Sequence, residues 1–92
     1  MVEISNKSLW SLAIHLKLYG PLYVAYAYYD DNNKRHGHAV IITGIDLVNG
    51  YVYTNNPWYY TCVQSYDGFM NSLYRSSHDY CVEKCFYFVE EE

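Results

Sequence analysis

The sequence predicts an α+β domain, with one N-terminal helix packed on a small antiparallel β-sheet or half-barrel. Three observations predict it. An apolar stripe at helical spacing runs into Gly20-Pro21, strand-forming runs fill Leu22 to Trp58, and Asn49-Gly50 marks a turn that folds two of those runs together. A chain of 92 residues is enough for one domain, 1–92, and too short for two that each bury a core.

The helix is expected from Lys7 to Tyr19. Ser5 or Asn6 can cap it, because a short side-chain oxygen there accepts an orphan backbone N–H. Leu9, Leu12, Ala13, Leu16 and Tyr19 recur on one face. Glycine then tolerates the left-handed conformation after a helix, and proline cannot continue it. Leu22 to Tyr29 is rich in valine, alanine and tyrosine and reads as a strand, with Tyr26 and Tyr28 on one face and Tyr23 and Tyr29 on the other. The polar run Asp30 to Arg35 reads as a loop. His38 to Leu47 is a second strand, Val48-Asn49-Gly50 a hairpin turn in which Asn-Gly supplies positive φ, and Tyr51 to Thr54 the returning strand. Asn55-Asn56-Pro57 ends it, since proline lacks the ladder donor. A short helix is expected from Ser65 to Tyr74, weakened by Gly68, and a last strand from Cys81 to Val89. Glu90-Glu91-Glu92 reads as a frayed acidic end.

Composition narrows the function. The chain is 51% hydrophobic, 20% aromatic and 17% charged, too apolar for a disordered segment. Six basic and ten acidic residues give a net charge of −4, which argues against nucleic acid or anionic lipid as a partner. The uncharged stretch Leu18 to Tyr29 is too short to cross a membrane as a helix, and Gly20-Pro21 interrupts it. No signal peptide is expected, and three cysteines cannot all pair internally. Both favour a reducing, cytoplasmic location.

One constellation carries chemistry. His38 opens the first strand of the hairpin and Asn55 or Asn56 closes the second, and in a hairpin those two ends lie side by side. A histidine whose imidazole is oriented by a neighbouring amide or carboxylate is the base half of a Cys-His-Asn or Ser-His-Asp site. The bland alternatives are a strand-edge histidine and a turn asparagine before proline.

A helix ending in Gly20-Pro21, a strand, His38-Ala39-Val40 with Gly44 soon after, and a strand ending in Asn56-Pro57-Trp58 resemble the C-terminal half of papain-like cysteine peptidases. The bacterial branch is the nearer likeness by pattern, with its bacteriocin-leader and plant-pathogen effector peptidases. The resemblance covers roughly Leu9 to Trp58. It implies a thiol protease (a hydrolase) with His38 as catalytic base and Asn56 as its orienter, acting on a peptide or protein. It also implies what this chain lacks. No residue matches the nucleophilic cysteine, which opens a long helix ahead of the Gly-Pro strand in that family, and none matches the oxyanion glutamine upstream of it. The expected reading is therefore a truncated domain supplying the His/Asn half of a site, inactive alone, with a missing N-terminal half as partner. A non-catalytic binding or regulatory module of the same half-fold and an unrelated small α+β domain are the competing readings. A half-fold should expose apolar surface, so a homodimer, a domain swap or a partner-bound form is expected.

Other residues carry plainer expectations. No cofactor is expected. Metal sites built from His36, His38 and Cys62, or from His78, Cys81 and Cys85, are disfavoured against the catalytic reading and against inert buried thiols. On a strand Cys81 and Cys85 share a face about 13 Å apart, too far for a disulfide. His15 is expected on the helix flank and His78 in a polar loop. Trp10 and Trp58 are read as packing residues, and by the family likeness Trp58 shields Asn56 from water.

Overall fold

Ser8 starts the first helix. Its side chain accepts from the Ser11 N–H at 3.2 Å, and Asn6 Oδ1 accepts from the Ser8 N–H one step earlier. The helix, α1, is Leu9–Tyr19, two residues shorter than the sequence suggests because the cap is Ser8 and not Ser5 or Asn6. Gly20 ends it with φ 82° while its N–H still bonds the Leu16 carbonyl, as the Gly-Pro signal predicts.

The computed structural model describes residues 1–29, 31–56, 59–71, 73–75, 78–79 and 81–89, with backbone only at 28, 56, 59–61, 73–75, 78–79 and 81. The expectations for Asp30, Trp58 and the Glu90–Glu92 end lie outside these residues. In chain order the elements are β1 (Val2–Ile4), α1, β2 (Leu22–Tyr29), β3 (Arg35–Asp46), β4 (Tyr51–Asn56), β5 (Tyr59–Ser65), α2 (Tyr66–Met70), β6 (Leu73–Arg75), β7 (His78–Asp79) and β8 (Cys81–Tyr87). Six strands form one antiparallel sheet in the order β1-β8-β2-β3-β4-β5, and β6 pairs with β7. This is the expected α+β architecture, with a wider sheet than the sequence reading drew.

Strand pairing and burial separate the two faces. Leu22, Val24 and Tyr26 of β2, Val40 and Ile42 of β3, Val52 and Thr54 of β4, Ile4 of β1 and Cys85 of β8 are buried. Leu12 is buried beside them, with Leu9 and Leu16 packed against the same cluster, so the predicted stripe does face the sheet. Trp10 does not join it. It is 66% exposed, because it lies off the arc that Leu9, Leu12 and Leu16 occupy. Tyr19 is partly exposed and stacks on Tyr87 with ring centroids 4.1 Å apart.

The second helix covers the rest of that face. Ser65 caps it by accepting from the Gly68 N–H. It stops at Met70, well short of Tyr74, and glycine at its centre weakens so short a helix. Phe69 is fully buried and meets Tyr26 edge-on, with centroids 5.9 Å apart. The buried Tyr26 hydroxyl donates to the Phe69 carbonyl at 2.8 Å, and the Tyr66 hydroxyl donates to the Lys7 carbonyl ahead of α1. Tyr26 thus ties α2 to the middle of the sheet.

The hairpin between β3 and β4 is as expected in place, with one difference in chemistry. Only Gly50 takes positive φ, at 73°, and Asn49 does not. The turn is held by Asp46, whose carboxylate accepts from the Val48 and Asn49 N–H groups and from Asn49 Nδ2. These bonds, the Asn49 side chain first, hold the Asp46 carboxyl below its usual range.

Replacing Tyr26 with phenylalanine removes one donor and leaves the Phe69 carbonyl unpaired in the core. The expected loss is about 1–2 kcal/mol, read as a lower urea midpoint with an unchanged slope. An unchanged midpoint would show that the bond between Tyr26 and Phe69 adds nothing.

Candidate active site

β2 and β3 pair without interruption from Leu22 with Ile42 to Tyr29 with Arg35. In the core phase the pairs are Leu22 with Ile42, Val24 with Val40 and Tyr26 with His38. The first four of those residues are buried, as is Tyr26, whereas His38 is half-buried. His38 therefore stands where the core row of β3 reaches solvent. β3 begins three residues earlier than expected, at Arg35, so His36 shares the phase of His38 and is half-buried too. Small residues on the neighbouring positions, Ala25, Gly37 and Ala39, line a shallow depression across β2 and β3 that includes Tyr23, Arg35 and His38.

Asn56 is the last residue of β4, two residues later than the strand was expected to end, and its backbone pairs with Tyr59. Its side chain lies outside the described residues. The register between β3 and β4 runs through Ile42 with Thr54 to Ile41 with Asn55. Continued one step, it sets Val40 against position 56 and leaves His38 on the diagonal. Diagonal neighbours on one face are about 7–8 Å apart, within reach of long side chains. The hairpin thus brings these two backbone positions to one end of the sheet in the same pleat phase, diagonal and not directly opposed.

The cysteines are elsewhere. Cys62 stands on β5 opposite Thr54, and Thr54 stands opposite Ile42. Two strands and four residues then separate Cys62 from His38, roughly 16 Å between Cα atoms. Cys85 stands on β8 opposite Val24, two strands from β3 on the other side. The same strand carries Cys81 opposite Ala27. A bulge between these pairs, at the point where Ala25 faces Lys84 and Tyr26 faces Val82, changes the phase of β8. Cys81 and Cys85 therefore do not occupy the same phase, which corrects the expectation for an unbroken strand.

Burial decides the thiol chemistry. Cys85 is fully buried, and desolvation pushes its pKa up to about 11 despite a small opposing effect of Lys7. That is the opposite of an activated nucleophile. Cys62 is free and half-buried. The chain's one glutamine, Gln64, is on β5 opposite Val52. Among the described residues no group of three His, Cys, Asp or Glu side chains could hold a metal ion.

The other histidines have structural surroundings. His15 Nδ1 lies 2.7 Å from the Ser11 carbonyl, so Nδ1 carries the proton and donates, and the ring packs near Tyr87. The backbone of His78 is in β7, not in a loop. An exposed ion pair joins Arg35 at the start of β3 to Glu83 of β8 at 2.6 Å. The hydrogen bond, more than the charge, raises the Arg35 pKa and lowers that of Glu83. One buried polar group stands out. Thr54 is fully buried, and among the described residues its hydroxyl has no hydrogen-bond partner, an arrangement that costs about 1–3 kcal/mol.

The chain belongs to the papain-like cysteine protease AvrRpt2 family, whose family model matches residues 2–74. No curated protein and no solved structure matches it. The match takes in α1, the hairpin, β5 and α2, more than the Leu9 to Trp58 span on which the resemblance rests. No helix among the described residues is long and apolar enough to cross a membrane.

The two described thiols should differ sharply in reactivity. At pH 8 a thiol with a pKa of about 11 is ionised in roughly one molecule in a thousand, and Cys85 is also sealed from reagent. Site-resolved mass spectrometry should find Cys62 alkylated well before Cys85, with Cys85 labelled at the rate of global unfolding. The folded pKa lies above the ordinary thiol value of about 8.5. Cys85 therefore contributes stability that is full below pH 8.5 and lost as pH rises toward 11. Equal labelling of both sites in the native state would contradict this.

Proposed function

We propose that this chain is the β-rich, C-terminal half of a papain-like cysteine peptidase, and that it supplies the base and its orienter to a Cys-His-Asn site. The observation that carries the reading is the family match over residues 2–74. Supporting it, backbone positions 38 and 56 lie on adjacent strands in one pleat phase. His38 takes the proton of a cysteine thiol and holds it as a thiolate–imidazolium pair. Asn56 Oδ1 accepts the other imidazole N–H and fixes the tautomer. The thiolate attacks the carbonyl of a peptide or isopeptide-like amide, and His38 returns the proton to the leaving amine.

The thiol on this reading comes from polypeptide outside these 92 residues. Cys62, Cys81 and Cys85 all sit two strands away from β3, and Cys85 is buried with its pKa raised. The partner is thus a nucleophile-bearing segment and the substrate a peptide or protein.

Two measurements test the reading. In nitrogen-detected NMR of the His38 ring, Asn56→Ala should change the tautomer distribution of the neutral imidazole, because the amide oxygen selects the nitrogen that keeps the proton. An unchanged tautomer distribution would remove the base and orienter and leave a non-catalytic binding module. The purified chain should also show no turnover of generic peptides. Hydrolysis that disappears in Cys62→Ala or Cys81→Ala would place the nucleophile inside the chain and overturn the half-site.

A further inference from the structure

We infer that the outer edge of β5 pairs with the same edge of a second copy of this chain, antiparallel about a two-fold axis at Cys62. The sheet ends in two strands, β1 and β5, each paired on one side only among the described residues. β1 is guarded, being three residues long and carrying Glu3, 3.9 Å from Lys84. Brevity and charge are what normally keep an edge from recruiting another strand. β5 has neither. Its seven residues, Tyr59–Ser65, include no charge, proline or glycine, and Val63 among them is 52% exposed. Such a strand suits its own image. A two-fold axis brings like residues close, and nothing in Tyr59–Ser65 repels a copy of itself.

One backbone bond fixes which groups of the edge are open. The Tyr66 N–H donates to the Gly50 carbonyl, so Ser65 and Tyr51, which stand opposite each other, form a pair without bonds of its own. Alternation then aims the N–H and C=O of Gln64 and Cys62 at β4 and those of Val63 and Thr61 outward. With the axis at Cys62, Thr61 of one copy exchanges both bonds with Val63 of the other, the axis repeats the exchange, and the overlap spans the whole strand. An axis at Val63 would call on the Ser65 carbonyl. Ser65 is the N-cap of α2, and an N-cap carbonyl already accepts the first bond of its helix. The axis at Cys62 makes that residue and its image a non-hydrogen-bonded pair, with Cα atoms about 4.5 Å apart, within disulfide range. An axis at Val63 would set them on a diagonal of about 7–8 Å, outside it. β5 is two strands from β3, so the pairing leaves His38 uncovered and does not depend on the base-and-orienter reading.

Association and register are read separately. Sedimentation of the whole chain under reducing conditions, from low micromolar to several hundred micromolar, should show a monomer–dimer equilibrium. Val63→Pro removes an outward N–H and leaves the ladder with β4 whole. By symmetry it deletes one bond in each half of the interface, so it should weaken the dimer by at least about tenfold. Val63→Lys keeps the backbone donor, adds a charge to the edge and should weaken the dimer too. Thermal melts check that both variants fold. In a Cys81→Ser background, diamide should join two chains through Cys62, the two thiols being oxidised to a disulfide as the reagent is reduced. Cys62→Ser should abolish the covalent dimer while sedimentation still shows the non-covalent one. A monomer throughout the range overturns the inference. A dimer indifferent to both Val63 variants has its interface elsewhere and overturns it as well. A dimer that both variants weaken, but that diamide does not link through Cys62, excludes the axis at Cys62 and overturns the stated register.

Discussion

The register between β2 and β3 is the constraint on which the rest of this domain depends. It is the longest unbroken pairing in the sheet, from Leu22 with Ile42 to Tyr29 with Arg35. A slip of one residue would move every side chain of a strand to the other face. Val40 and Ile42 would leave the core, and His38 would leave the row that begins in it. The burial of Val24 against Val40 and of Leu22 against Ile42 therefore also fixes the histidine. The packing of three or four aliphatic side chains sets the face on which the imidazole can act.

The other long pairings carry irregularities, and two of them flank β2 and β3. On β8 the core phase passes from Val82, opposite Tyr26, to Cys85, opposite Val24, a spacing of three where an even strand has two or four. On β3 it passes from Ile42, opposite Thr54, to Ile45, opposite Val52, again a spacing of three. Each bulge is thus written into the chain as a change of apolar phase. The sheet that results holds the histidine on a central strand and every cysteine two strands away.

What the sequence revealed follows from the range of the forces involved. Gly20-Pro21, the Leu9/Leu12/Leu16 stripe, the β2–β3–β4 succession and the start of the short helix at Ser65 are local or nearly so, and all four were legible. β1 was not, since Val2–Ile4 is too short for a period and is a strand only because Cys85 to Tyr87 pairs with it. β5 could have been found. Tyr59, Tyr60, Thr61 and Val63 are strand formers, but the asparagine–proline exit before them reads as the start of a loop. The Asp46 cap was hidden behind the stronger Asn-Gly signal. His38 was expected to open its strand, but β3 begins at Arg35, and the diagonal offset of positions 38 and 56 depends on a bulge that a simple hairpin does not contain.

That bulge decides the geometry of the site. Near the turn the register pairs Asp46 with Tyr51, Ile45 with Val52 and Gly44 with Tyr53. Carried on unchanged, it would set Ile41 against position 56, and a strand alternates. His38, three residues from Ile41, would then stand in the opposite phase from Asn56, and no side-chain rotation would bring a base and an orienter together through the sheet. The extra residue is Thr43, whose hydroxyl bonds the Tyr53 carbonyl at 3.4 Å. Beyond it Ile42 meets Thr54 and Ile41 meets Asn55, and positions 38 and 56 fall into one phase. The irregularity between β4 and β5 leaves this intact, because there the additional residue is on β5. A turn fixed by Asp46 and Gly50, followed by one inserted threonine, is therefore what puts backbone positions 38 and 56 into one pleat phase.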